Sequence, residues 1–361
     1  IPHFNITPEE IVRGLCKVNK LLNLPHTIHV HTNNLGKPGN YQNTLDTMKC
    51  AENLCIENKP VIHITHCQFS AFKGEDWQTL RSGAEEIARY VNNHSHVTLD
   101  MGQVVFTDTT TMTADGPFQF RLYQLSGNKW MNHDVETETT AGIVPFKYKR
   151  TSAVHATQWS IGLELALLIK DPWKIYLTTD HPNGGPFTNY PKIISWLMSQ
   201  AAREKVMKKI NKKARKNSLL PSIDREYSLY EIAIATRAGQ AKALGLRRKG
   251  NLGIGADADI AIYNLNPEAV DLSKKFRKLR RAFKKAAYTI KDGDIVVKDG
   301  EIVKSVEGKT FWVNVNTKAS AEVNADMKRR FRDYWTVEYE NYPIPEKYLA
   351  MSAPILVKAA I

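Results

Sequence analysis

Cysteine is scarce: the 361 residues carry four, Cys16, Cys50, Cys55 and Cys67, and none forms a CxxC pair. A chain of this length needs no disulfide staples, so its thiols are expected to be reduced, as in an intracellular protein. No run of eighteen apolar residues occurs, which excludes a membrane-spanning helix of ordinary length. The opening "IPHFNITPEE" lacks both a basic n-region and an apolar h-region, so no secretory signal is legible. Internal repeats, low-complexity stretches and nucleic-acid module signatures are also missing. The first residue is Ile, not Met, and the expectation is a downstream part of a longer chain.

What is present is a globular composition. Hydrophobic residues make up 42% of the chain, enough for one large core and a second, smaller one. The formal charge is +13 and the sequence pI about 9.4. Much of that excess lies in "REKVMKKINKKARK" (203–216) and "KKFRKLRRAFKK" (274–285). Both runs have helical spacing with few interleaved aromatics. This patterning favours solvated faces, or docking of an acidic partner, over nucleic acid.

From Thr27 to Thr65 β-runs alternate with a helical stretch: "TIHVH", an amphipathic segment from Tyr41 to Cys55, then "PVIHIT". The pattern is that of a parallel βαβ unit. A helix is expected over Asp76–Val91, with Asp76 as N-cap and Leu80, Ala84, Ile87 and Val91 on its apolar face. "HVTLDMG" continues the strands, and the rhythm then breaks at about 103–155, where a Ser-Gly turn between alternating segments suggests an inserted hairpin. The helix "TQWSIGLELALLIKD" and the strand "KIYLTT" restore it. Four such units are half of a (β/α)₈ barrel, whose chemistry gathers at the C-terminal strand ends.

Beyond Ser228 the text changes. A helical "SLYEIAIATRAGQAKALGL" leads to "GNLGIGADADIAIYN" and then to "YTIKDGDIVVKDGEIV", β-segments joined by Asp-Gly turns at Asp292 and Asp299. The expected fold class is α/β. Residues 1–235 form the second half of the barrel, 236–318 a small β-rich domain, and 319–361 a basic helix with an extended tail.

Catalytic zinc takes imidazole and carboxylate ligands and keeps a position open for water. Three strand ends offer such groups: His29 and His31 in "IHVH", His63 and His66 in "HITH", and Asp180 in "YLTTDHPNGG". Along a strand, His29 and His31 point to one side, whereas His63 and His66, three apart, point to opposite sides. His94, His96, His133 and His155 lack this register and are expected in surface or loop roles; His3 and His26 are expected to be structural. His181 fits either a partner of Asp180 or a loop residue. Cys67 is expected to be a buried, inert thiol. Gln103, Thr111 and Asn183 lie toward the same end, with loop roles equally open.

The order histidine, histidine, aspartate, followed by "AIATRAGQAKALGLRRKGNLGIGADADIAIYN", resembles the amidohydrolase superfamily. Within it, "IHVHTNNLGKPGNY", "VIHITHCQF", "MGQVVFTDTTTMTADGP" and "YLTTDHPNGGPFTNYPKIISWLMS" are similar to the A subunits of formylmethanofuran dehydrogenases. The resemblance implies that Val30, His31 and Asn34 match the end of barrel strand five, Val61 to Thr65 the end of strand six, and Asp180 strand eight. On that matching His31, His63 and Asp180 are metal ligands, Asp180 is also the general base, and His29 and His66 shape the pocket. Reading "HVH" as the HxH of strand one fails by count, since two strand signals, not six, separate His31 from Asp180.

The same resemblance implies two zinc ions, whose remaining ligands, the HxH and a carboxylated lysine, lie upstream. Three of six ligand positions should not by themselves assemble a stable binuclear site. The implied activity is the metal-dependent, reversible condensation of formate with methanofuran, in the first step of CO₂ reduction by methanogenic archaea, in the cytoplasm. Implied partners are subunits carrying a tungsten or molybdenum pterin and iron–sulfur clusters; neither nucleic acid nor membrane insertion is expected. Two rivals share parts of the pattern: an amidohydrolase of cyclic amides, dihydroorotase-like or hydantoinase-like, and a non-catalytic basic scaffold.

Overall fold

A computed structural model describes residues 5–54, 59–113, 142–316, 321–334, 338, 340 and 352–358. Helix α1 (Pro8–Leu21) starts at a capping box, in which Thr7 accepts from the Glu10 N–H and the Glu10 carboxylate accepts from the Thr7 N–H. It leads to β1 (Ile28–Val30), α2 (Tyr41–Lys49) and β2 (Ile62–Ile64). A short antiparallel pair, β3 (Phe72–Lys73) and β4 (Arg81–Ser82), precedes α3 (Ala84–Asn93) and β5 (Val97–Asp100). The antiparallel ribbon of β6 (Asp108–Thr113) and β7 (Gly142–Lys147) then leads into α4 (Ala153–Leu168) and β8 (Ile175–Tyr176). Strands β1, β2, β5 and β8 pair in that order, all parallel, with helical crossovers. The ribbon sits where an inserted hairpin is expected; residues 114–141, including His133 and most of that insertion, lie outside the described residues.

The register separates two faces of this sheet. His29 pairs with His63 and His63 with Thr98, so these polar side chains share one face. The alternate positions Ile62, Ile64, Val97 and Leu99 are fully buried in the core, with Ile28 and Val30 packed against it. Met48, Ile87, Val91, Trp159 and Leu163 bring α2, α3 and α4 into that core. Helix α4 is buried on every side from Ala156 to Leu167, which is why no single apolar stripe is visible in its sequence.

Two local expectations are corrected. No helix begins at Asp76: its carboxylate instead accepts from the backbone and hydroxyl of Thr79 at 2.7 and 2.8 Å, closing a turn before β4. The helix starts at Ala84, and Leu80, Ala84, Ile87 and Val91 are nonetheless all buried. His96 is not a surface residue; it is 1% exposed and its Nε2 lies 3.0 Å from the Met48 carbonyl.

After α5 (Tyr190–Leu197), α6 (Gln200–Met207) and α7 (Lys212–Asn217), the phrase "LYEIAIATRAGQAKA" forms α8 (Leu229–Ala233), one π-turn over Ile234–Ala238, and α9 (Gly239–Ala243). The π-turn leaves the Ala235 carbonyl free to accept from Leu177 N and Gln240 Nε2 at 2.8 and 2.6 Å, which ties the helix to the end of β8. Gly239 and Gly245 stand where a Cβ would lie 2.4 Å from the Tyr176 ring and 2.5 Å from Pro25 Cβ.

A second, antiparallel sheet comprises β9 (Ile260–Ile262), β10 (Tyr288–Lys291), β11 (Asp294–Lys298) and β12 (Glu301–Ile302), in the order β12-β11-β10-β9. Its turns place Asp292 and Asp299 at φ +53° and +51°, each followed by a glycine of positive φ, as two-residue hairpins require. Helix α10 (Phe276–Lys284) packs beside α5, and β13 (Thr310–Asn316), α11 (Ala321–Tyr334) and β14 (Ser352–Lys358) follow. Within the expected tail, β14 pairs in parallel with β13.

The aspartates of "GADADIAIYN" tie the segment after α9 to the turn between β10 and β11. Lys249 Nζ lies 3.0 Å from Asp257 and 2.5 Å from Asp259, and Asp259 also accepts from Lys291 Nζ and Asp292 N at 3.1 and 2.9 Å. Burial alone would raise the Asp259 pKa, but these donors outweigh it and push it down to about 2. A folded-state value below the unfolded one gives stability that is present above the unfolded carboxylate range and is lost as pH falls through it. Asp259→Asn should therefore cost about 2 kcal/mol at pH 7, and the cost should shrink toward zero between pH 4 and 2 in urea unfolding monitored at several pH values.

Candidate active site

The polar face of the parallel sheet ends in a set of side chains held by one buried carboxylate. Asp100, the last residue of β5, accepts from His63 Nε2 at 3.1 Å, from the His66 backbone N–H at 3.0 Å, and from the Thr178 hydroxyl. Burial by itself would raise the Asp100 pKa; the hydrogen bond and charge of His63, with the Thr178 hydroxyl, hold it below the usual carboxylate value. The other ring nitrogen of His63, Nδ1, lies 2.9 Å from Thr98 Oγ1. Tyr176 stacks on the His63 ring at 5.5 Å between centroids, and His29 lies against it at 4.7 Å.

His66 departs from the alternation expected of it. β2 ends at Ile64, and His66 takes a left-handed backbone with φ +34°, which turns its ring back toward the site. Its Nε2 lies 2.7 Å from His31 Nδ1, with ring centroids 4.6 Å apart. Its Nδ1 is buried without a hydrogen-bond partner. Gly102 makes the fold-back possible, because a Cβ there would sit 2.5 Å from His66 Cβ. His31 and His66 are therefore neighbours.

Asp180 lies after β8 with φ +46°, and Asn183 holds it by donating from Nδ2 to Oδ2 at 2.9 Å. The Asp180 charge acts on both His31 and Tyr148, whose hydroxyl donates to the Asn183 carbonyl at 2.9 Å. Burial pushes the Tyr148 phenol far up. Burial and the facing His66 lower the His31 pKa, while burial and neighbouring His63 lower that of His29 to about 4. Both rings are thus held neutral, the form in which imidazole binds a metal.

The remaining candidates fall into structural positions. His181 accepts from the Phe187 N–H at 3.3 Å, as a loop residue. Gln103 is buried and donates to the Val104 and Trp159 carbonyls; Thr111 lies in the β6–β7 ribbon. Cys67 is fully buried and burial drives its thiol pKa far up, as an inert thiol requires. Cys16, Cys50 and Cys67 are all free.

The phrases around the ligand candidates also have structural reasons. In "NNLGKPGN", buried Asn40 donates to the Asn34 and Phe69 carbonyls and accepts from Phe72 N, locking the loop after β1. In "DHPNGG", Gly184 has no room for a side chain, since a Cβ would lie 2.5 Å from the Thr179 carbonyl oxygen.

The donor set suits a metal in chemistry: neutral imidazoles, a buried unpartnered His66 Nδ1, and two carboxylates. Among the described residues no three His, Cys, Asp or Glu side chains are arranged to hold one ion, and both nitrogens of His63 are engaged. A metal held by His63 would have to displace either Asp100 or Thr98 from the ring.

Sequence reasoning missed Asp100, although "VTLD" places it two residues from Thr98 at a strand end, the same signal that marked Asp180. Asp100→Ala leaves the His63 ring and the His66 N–H without their acceptor inside the fold. It should lower stability by about 2–3 kcal/mol in denaturant unfolding. In ring-nitrogen NMR titrations of the metal-free chain, His29 should stay neutral down to about pH 5 and titrate near 4.

A family model described as amidohydrolase family matches residues 1–297. Protein FwdA of Methanocaldococcus jannaschii is 50% identical over 359 residues, covering 96% of this chain and 62% of that protein. The A subunit of the formyltransferase/hydrolase complex Fhc of Methylorubrum extorquens is 40% identical over 269 residues, covering 73% of this chain and 48% of that one. The crystal structure of the Methylorubrum extorquens formyltransferase/hydrolase complex FhcABCD with methylofuran superposes with a TM-score of 0.84 at 35% identity, over 99% of this chain and 63% of that chain. The chain thus spans between about half and two thirds of the length of these relatives. With the strand-end histidines and aspartate in one parallel sheet, the chain belongs to the amidohydrolase family.

Proposed function

We propose that this chain is part of the A subunit of a formylmethanofuran dehydrogenase, in which it hydrolyses, and in reverse forms, the amide between formate and the amine of methanofuran. The observation that carries the reading is the neighbourhood of His31, His66 and Asp180 at the C-terminal ends of parallel strands. The 50% identity to FwdA supports the substrate class, as does the methylofuran bound in the related complex. On this reading β1, β2, β5 and β8 are strands five to eight of an eight-stranded barrel, followed from residue 236 by the β-rich domain. The first four strands of that barrel would come from upstream sequence.

His31, His63 and Asp180 would hold metal, zinc in our reading, with the remaining ligands supplied upstream. When bound, the metal ions supply Lewis acidity, which activates water at neutral pH and polarises the formyl oxygen. Asp180 takes the proton of the attacking water and delivers it to the amine nitrogen as the C–N bond breaks, releasing formate and methanofuran. Asn183 fixes the carboxylate for both transfers. In the synthetic direction the same carboxylate accepts the amine proton. His29 and Tyr176 hold His63 in place by ring contact, and Asp100 fixes the turn that carries His66. CO₂ reduction belongs to partner subunits with a tungsten or molybdenum pterin and iron–sulfur clusters.

The test is formate release from formylmethanofuran by the full-length, metal-loaded protein. A chelator should abolish release and added zinc restore it, while Asp180→Asn should lower the rate by about 10²–10⁴-fold. Release that survives both treatments would overturn the reading. An inactive but properly metallated protein would redirect it to cyclic amides.

A further inference from the structure

A cavity of about 550 Å³ lies at the end of the parallel sheet opposite the candidate active site. Its walls include Asn23–Pro25 before β1, Lys59 before β2 and Trp173 before β8, which are the N-terminal approaches to the strands; His31 and Asp180 follow strand C-termini. The segment after α9 closes one side and Leu356 of β14 another. Four cationic side chains line it, Lys59, Lys242, Arg247 and Lys249, and among the described lining residues there is no Asp or Glu.

These cations are not equivalent. Lys249 is neutralised by Asp257 and Asp259, which stand behind it. Lys59 is half-buried, donates to Asn19 Oδ1 at 3.0 Å and to the Leu24 carbonyl, and burial lowers its pKa. Its charge is thus solvated by neutral dipoles alone, an arrangement that a nearby anion would stabilise. Lys242 and Arg247 are exposed; Lys242 Nζ stands 5.1 Å above the Trp173 ring, where its stem and the indole share an apolar wall with Leu24, Pro25 and Leu356.

We propose that this cavity is a second ligand site, distinct from the hydrolytic one, that takes a small organic anion. The ligand class is a phosphate or carboxylate head with at least two negative charges on an apolar or ring-shaped body. The head meets Lys59, Lys242 and Arg247, and the body lies against Trp173 and the aliphatic wall. The volume is that of a site for a molecule of metabolite size. A head of two or more negative charges can be met by the three cations left without a carboxylate, Lys59, Lys242 and Arg247, and the guanidinium of Arg247 offers paired donors to either oxyanion.

The experiment is calorimetric titration of the full-length protein with phenyl phosphate, phthalate and inorganic phosphate as probes. Saturable binding of phenyl phosphate or phthalate, weakened by added salt, is expected; the stronger arm identifies the head group. Lys242→Gln and Arg247→Gln should each weaken binding about tenfold, as loss of a charge-assisted bond does, without changing the unliganded melting temperature or formate release. His31→Ala and Asp180→Asn should bind the probes as the wild type does, which separates this site from the catalytic one. No saturable binding in either organic arm, equal binding by both cation variants, or a full-length structure in which other residues of the chain fill the cavity would overturn the proposal.

Discussion

The arrangement of the candidate site depends on one buried carboxylate. Asp100 reaches from the end of β5 to the His63 ring on β2, to the backbone of His66 beyond it, and to Thr178 beyond β8. Removing a carboxylate from water costs several kcal/mol, and charge-assisted bonds from three directions offset it. Because the acceptor is shared, the neighbouring strand ends cannot shift independently. His63 is oriented by a side-chain bond, His66 by a backbone bond, and His31 through its contact with His66. The absence of a side chain at Gly102 is the steric half of the same constraint.

The sheet carries opposite chemistry on its two faces. One is aliphatic and closed by helices; the other carries His29, His63, Thr98 and Tyr176 in ring contact or hydrogen bonding. His29 and His31 remain accessible at its edge, whereas His63 and Thr98 are buried. At the other end of the strands the side chains are cationic around a cavity. One short sheet thus separates a cluster of imidazoles and carboxylates from a cavity lined by cationic side chains.

Much of this was legible in the sequence because it rests on period and position. Alternation placed β1, β2 and β5, Asp-Gly pairs placed the hairpin turns, and the strand-end rule gathered His29, His31, His63, His66 and Asp180 as candidates, among which the family resemblance chose His31, His63 and Asp180. The losses have physical causes. Alternation sets His66 opposite His63, but that rule stops where the strand stops, and a left-handed residue then turns the ring toward His31, in the pocket where the family resemblance puts it. Asp76 looked like a helix cap because its partner Thr79, which closes a turn instead, has no periodic signature. Asp100 stands at a strand end like Asp180, but the convergence of three donors from distant segments on it has no local signature. The π-turn at 234–238 is invisible to a helical pattern, although it sets how α9 meets β8. Several residues that carried the family resemblance, Asn40, Gly184, Asp257 and Asp259 among them, hold loops and turns in this structure, so they report the scaffold on which the chemistry sits.

The central claim is that the strand-end histidines and Asp180 are the downstream share of a metal site. An anomalous-difference map at the zinc edge, from crystals of the full-length protein, tests it most directly. The account predicts metal peaks within bonding distance of His31, His63 and Asp180, with His63 having released Asp100 or Thr98. A fully metallated protein whose peaks lie away from these side chains, with the bonds of His63 to both Asp100 and Thr98 intact, would contradict it.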